Sequence, residues 1–350
     1  MKELVVIMPE KPSEMLKKML KAFIRNTDYL LIDNTTNLPD LTNKNLLFAL
    51  ELNKAGYNLG MSEIISKLYQ RNYSSLANST GAVLIHGKND LFTKTAAQDL
   101  VFHANMLGCR FPGRPMVEAI GSLHNFFTLQ KNIKKPLDEV CLEACRMLGK
   151  RFLDKPAPNQ ITAPKLLVLH SSNYKTSNTL TLWKMIKNYL SFNNIKEIHI
   201  ENGSIRDCIG CSYKMCKHYG DQISCFYGGI MVEEVYPAIL DADAVIWICP
   251  NYNDGLSANI SAVINRLTAL FRSNKFYNKT LFGVIVSGSS GGDALAKQLI
   301  SALNMNKTFR LPPYFAIMET ANDKNAIKKL SNIEQRAKAF ARNIENEIKA

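Results

Sequence analysis

The sequence predicts an α/β protein made of two doubly wound parallel-sheet domains in tandem, the second repeating the first. Three observations carry this. Short apolar runs alternate with helical patterns along the 350 residues, the signature of β-α units whose strands are covered on both faces. The halves echo each other: "GAVLIHGKND" runs alongside "FGVIVSGSSG", and "LGMSEIISKLYQR" alongside "LSANISAVINRLTA". A Pro-rich stretch between them, "DKPAPNQITAP" at 154–164, reads as a linker.

Taken in order, "ELVVIMPE", "TDYLLID", "LLFALELN", "GAVLIHG" and "RPMVEAI" are the five strands of a first domain over 1–153, which closes with the helix "LDEVCLEACRMLGKRF". The second domain, 165–350, has its strands at "KLLVLH", "IKEIHIE", "DAVIWICP", "LFGVIVSG" and "YFAIMET". Its helices are expected near 178–191, 229–240, 257–272, 293–305 and 331–348. The last places Ile333, Ala337, Phe340, Ile344 and Ile348 on one face, a stripe suited to docking on the sheet.

Apolar content of 46% with 21% charged residues is that of a globular protein, and no run of about 18 apolar residues appears, so no bilayer span and no membrane partner is expected. The apolar run at the N-terminus is too short for a signal segment and reads as the first strand, which places the protein in the cytoplasm. The net charge of +13 divides as +6 over 1–153 and +7 over 154–350. An excess spread so evenly, without a basic tail or an aromatic-laced stripe, argues against a nucleic-acid partner and for a Lys-rich surface that tolerates anionic ligands. Of eight cysteines, Cys208, Cys211, Cys216 and Cys225 cluster within eighteen residues, which favours metal or redox chemistry. Cys109, Cys141, Cys145 and Cys249 lie on apolar faces and read as small buried hydrophobes.

Ligands of an open α/β sheet bind beyond the carboxyl ends of its strands. Three loops at that edge of the second domain carry chemistry. The first, Ser171-Ser172-Asn173-Tyr174-Lys175-Thr176-Ser177-Asn178-Thr179, joins a strand to a helix start, where free N–H groups, hydroxyls and a lysine suit a phosphate. The second, Pro250-Asn251-Tyr252-Asn253, offers a flat aromatic face. The third, Ser287-Gly288-Ser289-Ser290-Gly291-Gly292, has glycines that let backbone approach a ring. The first domain has "MPEKPSEML", "ELNKAG" and "HGKND" in these places and reads as a degenerate copy without a cofactor site.

Together the three loops resemble those of the flavodoxin-like NADPH-dependent FMN reductases, a family that includes the iron-sulfur flavoproteins. The family's G-S-P-R-x-x-G-N-T is met by 171–179, with Tyr174 at the Arg position, so that Lys175 supplies the cation; its P-x-Y is Pro250-Asn251-Tyr252, and its later D-R is replaced by Asn265-Arg266. The resemblance implies FMN held by the three loops and NAD(P)H as co-substrate. Electrons would pass to a quinone, a flavin, a nitro or azo compound, or a protein acceptor. No side chain is catalytic, because the flavin N5 takes the hydride. It further implies a homo-oligomer. An alternative is an electron-transfer or redox-sensing flavoprotein that does not turn over NAD(P)H. For the cysteines, spaced C-x2-C-x4-C-x8-C, the resemblance implies a 4Fe-4S cluster, although the family's third cysteine comes two residues after the second instead of four. Structural zinc and metal-free thiols are the other readings, and His218 sits in the same stretch, taken as a loop.

Overall fold

A computed structural model of the chain describes residues 2–154 and 161–349, so the middle of the expected linker lies outside the described residues. The chain divides into two units, Met1–Ala157 and Pro158–Ala350. The first holds strands β1 (Leu4–Ile7), β2 (Leu30–Ile32), β3 (Asn45–Leu52), β4 (Thr80–Gly87) and β5 (Met116–Ala119). Between and after them come helices α1 (Glu14–Ile24), α2 (Leu59–Arg71), α3 (Thr93–Met106), α4 (Phe127–Ile133) and α5 (Leu137–Leu153). The second holds β6 (Leu166–His170), β7 (Ile195–His199), β8 (Ala244–Pro250), β9 (Thr280–Ser287) and β10 (Ala316–Thr320). Its helices are α6 (Asn178–Lys187), α7 (Tyr213–Asp221), α8 (Tyr236–Asp241), α9 (Ala258–Ser273), α10 (Gly292–Leu299) and α11 (Ile333–Lys349).

Each unit builds one five-stranded sheet, in the orders β2-β1-β3-β4-β5 and β7-β6-β8-β9-β10, with every pairing parallel. The order reverses beside the first strand of each unit, which makes that edge the switch point. The sheets also share their register. Val83 pairs with Met116 where Gly283 pairs with Ala316, and the isolated bridge Thr80 to Arg110 returns as Thr280 to Arg310.

The central strands are buried on both faces, as expected of runs such as Val245, Ile246, Trp247 and Ile248, each at 0% exposure. In the first unit Leu4, Val6, Leu47 and Leu84 pack with Phe23 of α1 and Phe152 of α5. In the second, Leu166, Val168, Ile246 and Phe282 pack with Trp183 of α6 and with the predicted α11 stripe of Ile333, Ala337, Phe340, Ile344 and Ile348. The helix expected at 229–240 is two pieces, a π turn over Met231–Val235 and then α8. Pro237 lacks an N–H and cannot continue the ordinary i to i−4 ladder there. Helix α6 ends at Lys187, short of 191, because the amides of Tyr189 and Leu190 fold back onto Ile186 and Lys187 in a turn.

Candidate functional site

The loop from β6 to α6 is ordered by its own side chains. The Asn173 carbonyl accepts the Ser177 amide at 3.1 Å, and Asn173 Oδ1 accepts the Lys175 amide at 2.8 Å. Ser177 is the N-cap of α6, its Oγ accepting from the Leu180 amide at 3.1 Å, so this hydroxyl already serves the helix. Ser171 Oγ lies 2.6 Å from Ser257 Oγ and ties the loop to the start of α9. Ser172 differs from both. Its hydroxyl is buried and has no hydrogen-bond partner among the described residues. Neither the Asn178 nor the Thr179 amide meets an acceptor there, as expected of the first helical positions. The buried Thr179 and Lys175, which has no carboxylate partner among the described residues, complete this corner.

Asn178 is a correction to its expected side-chain role at a phosphate. Its Nδ2 donates to the carbonyls of Ala321 at 3.1 Å and Asp323 at 2.8 Å, and its Oδ1 accepts from the Ile327 amide at 3.4 Å. The side chain braces α6 against the loop after β10, and only its amide remains for a ligand.

The other two loops are locked together. Asn251, just past Pro250, donates from Nδ2 to Ser287 Oγ at 3.1 Å and to the Ser290 carbonyl at 2.9 Å, while its Oδ1 is buried without a partner among the described residues. Tyr252 and Gly255 exchange backbone hydrogen bonds at 3.1 and 3.0 Å around Asn253 and Asp254, whose φ values of 52° and 57° are left-handed. This tight turn leaves the Tyr252 ring 53% exposed at the edge. In the third loop Ser287 is buried, whereas Gly288 and Ser289 are exposed. Gly291 has φ +86°, and a Cβ there would stand 2.0 Å from Asp254 Oδ1, so the position requires glycine. At Gly292 a Cβ would be 3.5 Å from its nearest protein neighbour, ordinary contact, so packing within the chain does not by itself demand glycine there.

The structure thus joins the three predicted loops at one sheet edge, and it adds residues the sequence did not single out. A groove is lined by Lys175, Thr176, Lys184, Asn325 and Lys328, with Glu334 as its one acidic lining residue among those described, engaged by the Tyr189 hydroxyl at 2.8 Å. None of these three lysines pairs with a carboxylate among the described residues. In so Lys-rich a sequence, no local signal separates Lys184 and Lys328 from the rest. At the end of β6 His170 is buried, with its Nδ1 unpartnered, and it stacks on His199 of β7 at 4.6 Å, while Tyr174 packs edge-on against both rings. Burial, reinforced by the neighbouring imidazole, lowers the His170 pKa to about 4.

The cysteine stretch is not all loop. Helix α7 begins at its Ser212 cap and carries Cys216 and His218, and it packs so closely on α9 that a Cβ at Gly220 would lie 2.1 Å from the Ala269 carbonyl. His218 Nε2 faces Gln222 at 3.4 Å. Cys208, Cys211, Cys216 and Cys225 all line one pocket, together with Tyr219, Tyr227 and Arg266. Gly210, at φ +70°, donates its amide to Cys208 Sγ at 3.4 Å. Among the described residues no three His, Cys, Asp or Glu side chains close on a single ion.

The matching edge of the first unit is filled from within. Glu51, at the end of β3, accepts the Ser13 amide at 2.9 Å and lies 2.7 Å from His86 Nδ1, which is 3.0 Å from Ser13 Oγ. Serine and glutamate meet the same ring nitrogen, so the trio is not a nucleophilic relay. Burial alone would raise the Glu51 pKa, but the hydrogen bonds from His86 and Ser13 outweigh it and hold the carboxyl below its ordinary range.

Strand order and edge loops define the second unit as a flavodoxin-like sheet with a site at its switch point. Residues 164–323 match the model of the NADPH-dependent FMN reductase family. Solved structures it is similar to include RosB with a bound 8-demethyl-8-formylriboflavin-5'-phosphate intermediate, at 11% identity over 53% of this chain and 79% of that one, TM-score 0.39. Others are a WrbA-like flavodoxin from Agrobacterium tumefaciens, at 15% identity over 53% and 98%, TM-score 0.35, and an NAD(P)H:quinone oxidoreductase from Methanothermobacter marburgensis, at 15% identity over 52% and 96%, TM-score 0.37. No curated protein matches the sequence. Among the described residues no helix is long and apolar enough to cross a membrane.

Proposed function

We propose that the chain is a cytoplasmic, FMN-dependent NAD(P)H oxidoreductase whose second unit alone holds the flavin. The observation that carries this reading is the buried, unpartnered Ser172 hydroxyl in the loop that leads to the free amides of Asn178 and Thr179 at a helix start, inside the segment matching the FMN reductase family. When bound, FMN supplies the hydride and electron chemistry. The protein's part is positional. Ser172, Thr179 and the two amides donate to the phosphate, with Lys175 adding charge. Asn251 holds the second and third loops at a fixed separation, Tyr252 offers its face to the ring, and the Gly288 to Gly291 backbone borders it. Lys184 and Lys328 keep the approach cationic for a phosphate-bearing co-substrate. The acceptor is a small molecule or a redox protein, and the first unit serves as a degenerate copy within a duplicated architecture. Flavin released by acid should approach one FMN per chain, and NADPH added anaerobically should bleach the yellow protein. Stable colour with excess NADPH and NADH would favour the electron-transfer alternative, and a colourless protein would overturn both.

A second reading concerns the four cysteines, and the pocket they share favours it. We propose that Cys208, Cys211, Cys216 and Cys225 hold a 4Fe-4S cluster. What supports this reading is that all four thiols line one cavity, as a group held by four sulfurs requires. Iron and acid-labile sulfide in protein prepared without oxygen test this directly.

A further inference from the structure

The cysteine pocket contains a charge with no visible opposite. Arg266, on α9, is only 2% exposed, and its guanidinium pairs with no carboxylate among the described residues. One of its terminal NH2 groups donates to the Gly228 carbonyl at 2.7 Å, its Nε donates to Cys225 Sγ at 3.4 Å, and the face of Tyr227 lies 5.9 Å away. Asp207, on the same cysteine-bearing loop, is engaged elsewhere, by the Cys208 amide at 2.7 Å and Asn265 Nδ2 at 2.9 Å. Below, Tyr236 donates its hydroxyl to the Arg266 carbonyl at 2.6 Å and fixes this part of α9. A guanidinium taken out of water is costly unless an anion answers it. The groups available around this pocket to carry that negative charge are the four cysteine sulfurs.

We infer that Arg266 is the counter-charge and sulfur hydrogen-bond donor of the redox group held by Cys208, Cys211, Cys216 and Cys225, a positioning residue that sets its potential without ligating it. This rests on the cluster reading above. Hydrogen bonds to ligating sulfurs and the local net charge are the protein's means of setting such potentials. A positive charge at Cys225 favours the more negative, reduced form, so Arg266 raises the potential. Gly210 supplies a second, neutral donor at Cys208.

The test uses the full chain purified without oxygen, as wild type, Arg266→Gln and Arg266→Lys. Each is assayed for iron, acid-labile sulfide and FMN, then titrated with redox dyes and followed by electron paramagnetic resonance. Expected is wild-type iron and FMN in the glutamine variant, with a midpoint lower by at least 59 mV, a tenfold change for one electron. The lysine variant, which keeps the charge, should shift less. Iron lost from the glutamine variant but kept in the lysine variant also supports the inference. Unchanged midpoints in both variants, equal shifts in both, or loss of iron from both with FMN retained would overturn it. Wild-type protein that holds FMN but neither iron nor sulfide would overturn the cluster reading, and this inference with it.

Discussion

Among the described residues the amides of Asn178 and Thr179 at the start of α6 have no acceptor, and the Ser172 hydroxyl of the same loop is buried and unpartnered. At the start of α1 the cap amide of Ser13 donates to the Glu51 carboxylate, which His86 also holds, whereas the cap amide of α6, Ser177, donates to the neutral Asn173 carbonyl. Both helices start on a serine N-cap at the switch point of a sheet with the same strand order. The difference teaches that an anion position at a helix N-terminus can be left for a ligand or answered by the protein's own side chain. In the first unit Glu51, at the strand end where the second unit has Pro250, supplies that negative charge at the helix cap.

The largest expected effect follows from the ligand side of this comparison. Replacing Ser172 by Ala together with Lys175 by Ala removes two charge-assisted contacts to a dianion, each worth roughly 1.5–3 kcal/mol. FMN affinity, read by fluorescence recovery on release, should fall at least a hundredfold, whereas Ser13→Ala in the first unit should leave it unchanged. Equal losses at both sites would erase the proposed asymmetry.

The next is a histidine effect specific to the second unit, since Met8 occupies the place that His170 holds at the end of β6. The His170 pKa is depressed to about 4 by burial and by His199, so the unfolded chain binds this proton more tightly than the folded one. Stability from the neutral ring is fully present above about pH 6.5 and is lost as pH falls toward 4, by up to about 3 kcal/mol. Calorimetric melts between pH 7 and 4 should show the second unit losing stability over this window, and His170→Gln should flatten the slope.

Glu51→Gln gives a smaller effect. The carboxylate is held below its ordinary range, so its contribution is present above about pH 4.3 and disappears as pH falls through its own lower value. At neutral pH the substitution should cost the first unit roughly 1.5–3 kcal/mol in a urea melt with FMN content unchanged. A gain of a second FMN per chain would show that the carboxylate was the only barrier to binding there. Smallest are the glycines. Gly291→Ala forces a left-handed alanine against Asp254 and should cost about 1–2 kcal/mol, whereas Gly292→Ala should stay within about 0.5 kcal/mol.

Where the sequence misled, distance along the chain was the cause. Asn178 has the type and position of a phosphate donor, yet its side chain is taken by carbonyls more than 140 residues away, after β10. The stretch holding His218 looks like loop because its apolar content is low, and α7 forms there because Ser212 caps it and Gly220 lets it lie against α9. Arg266 drew notice only as half of a departed family motif. Its burial against Cys225 depends on α9 passing behind a loop forty residues earlier.

The fold itself was legible in the linear pattern. Continuous Val, Ile and Leu runs alternating with amphipathic helices specify covered parallel strands, because burial on both faces allows no polar alternation. The three edge loops and the four-cysteine spacing were legible too, since each is a local signature. Tertiary structure alone decided which polar groups remain available to a ligand. A hydroxyl or amide that looks free in sequence is engaged or left open according to which distant backbone or side-chain groups the fold brings within about 3 Å of it. At the second edge that left Ser172 open and took Asn178, and at the first it brought Glu51 to Ser13.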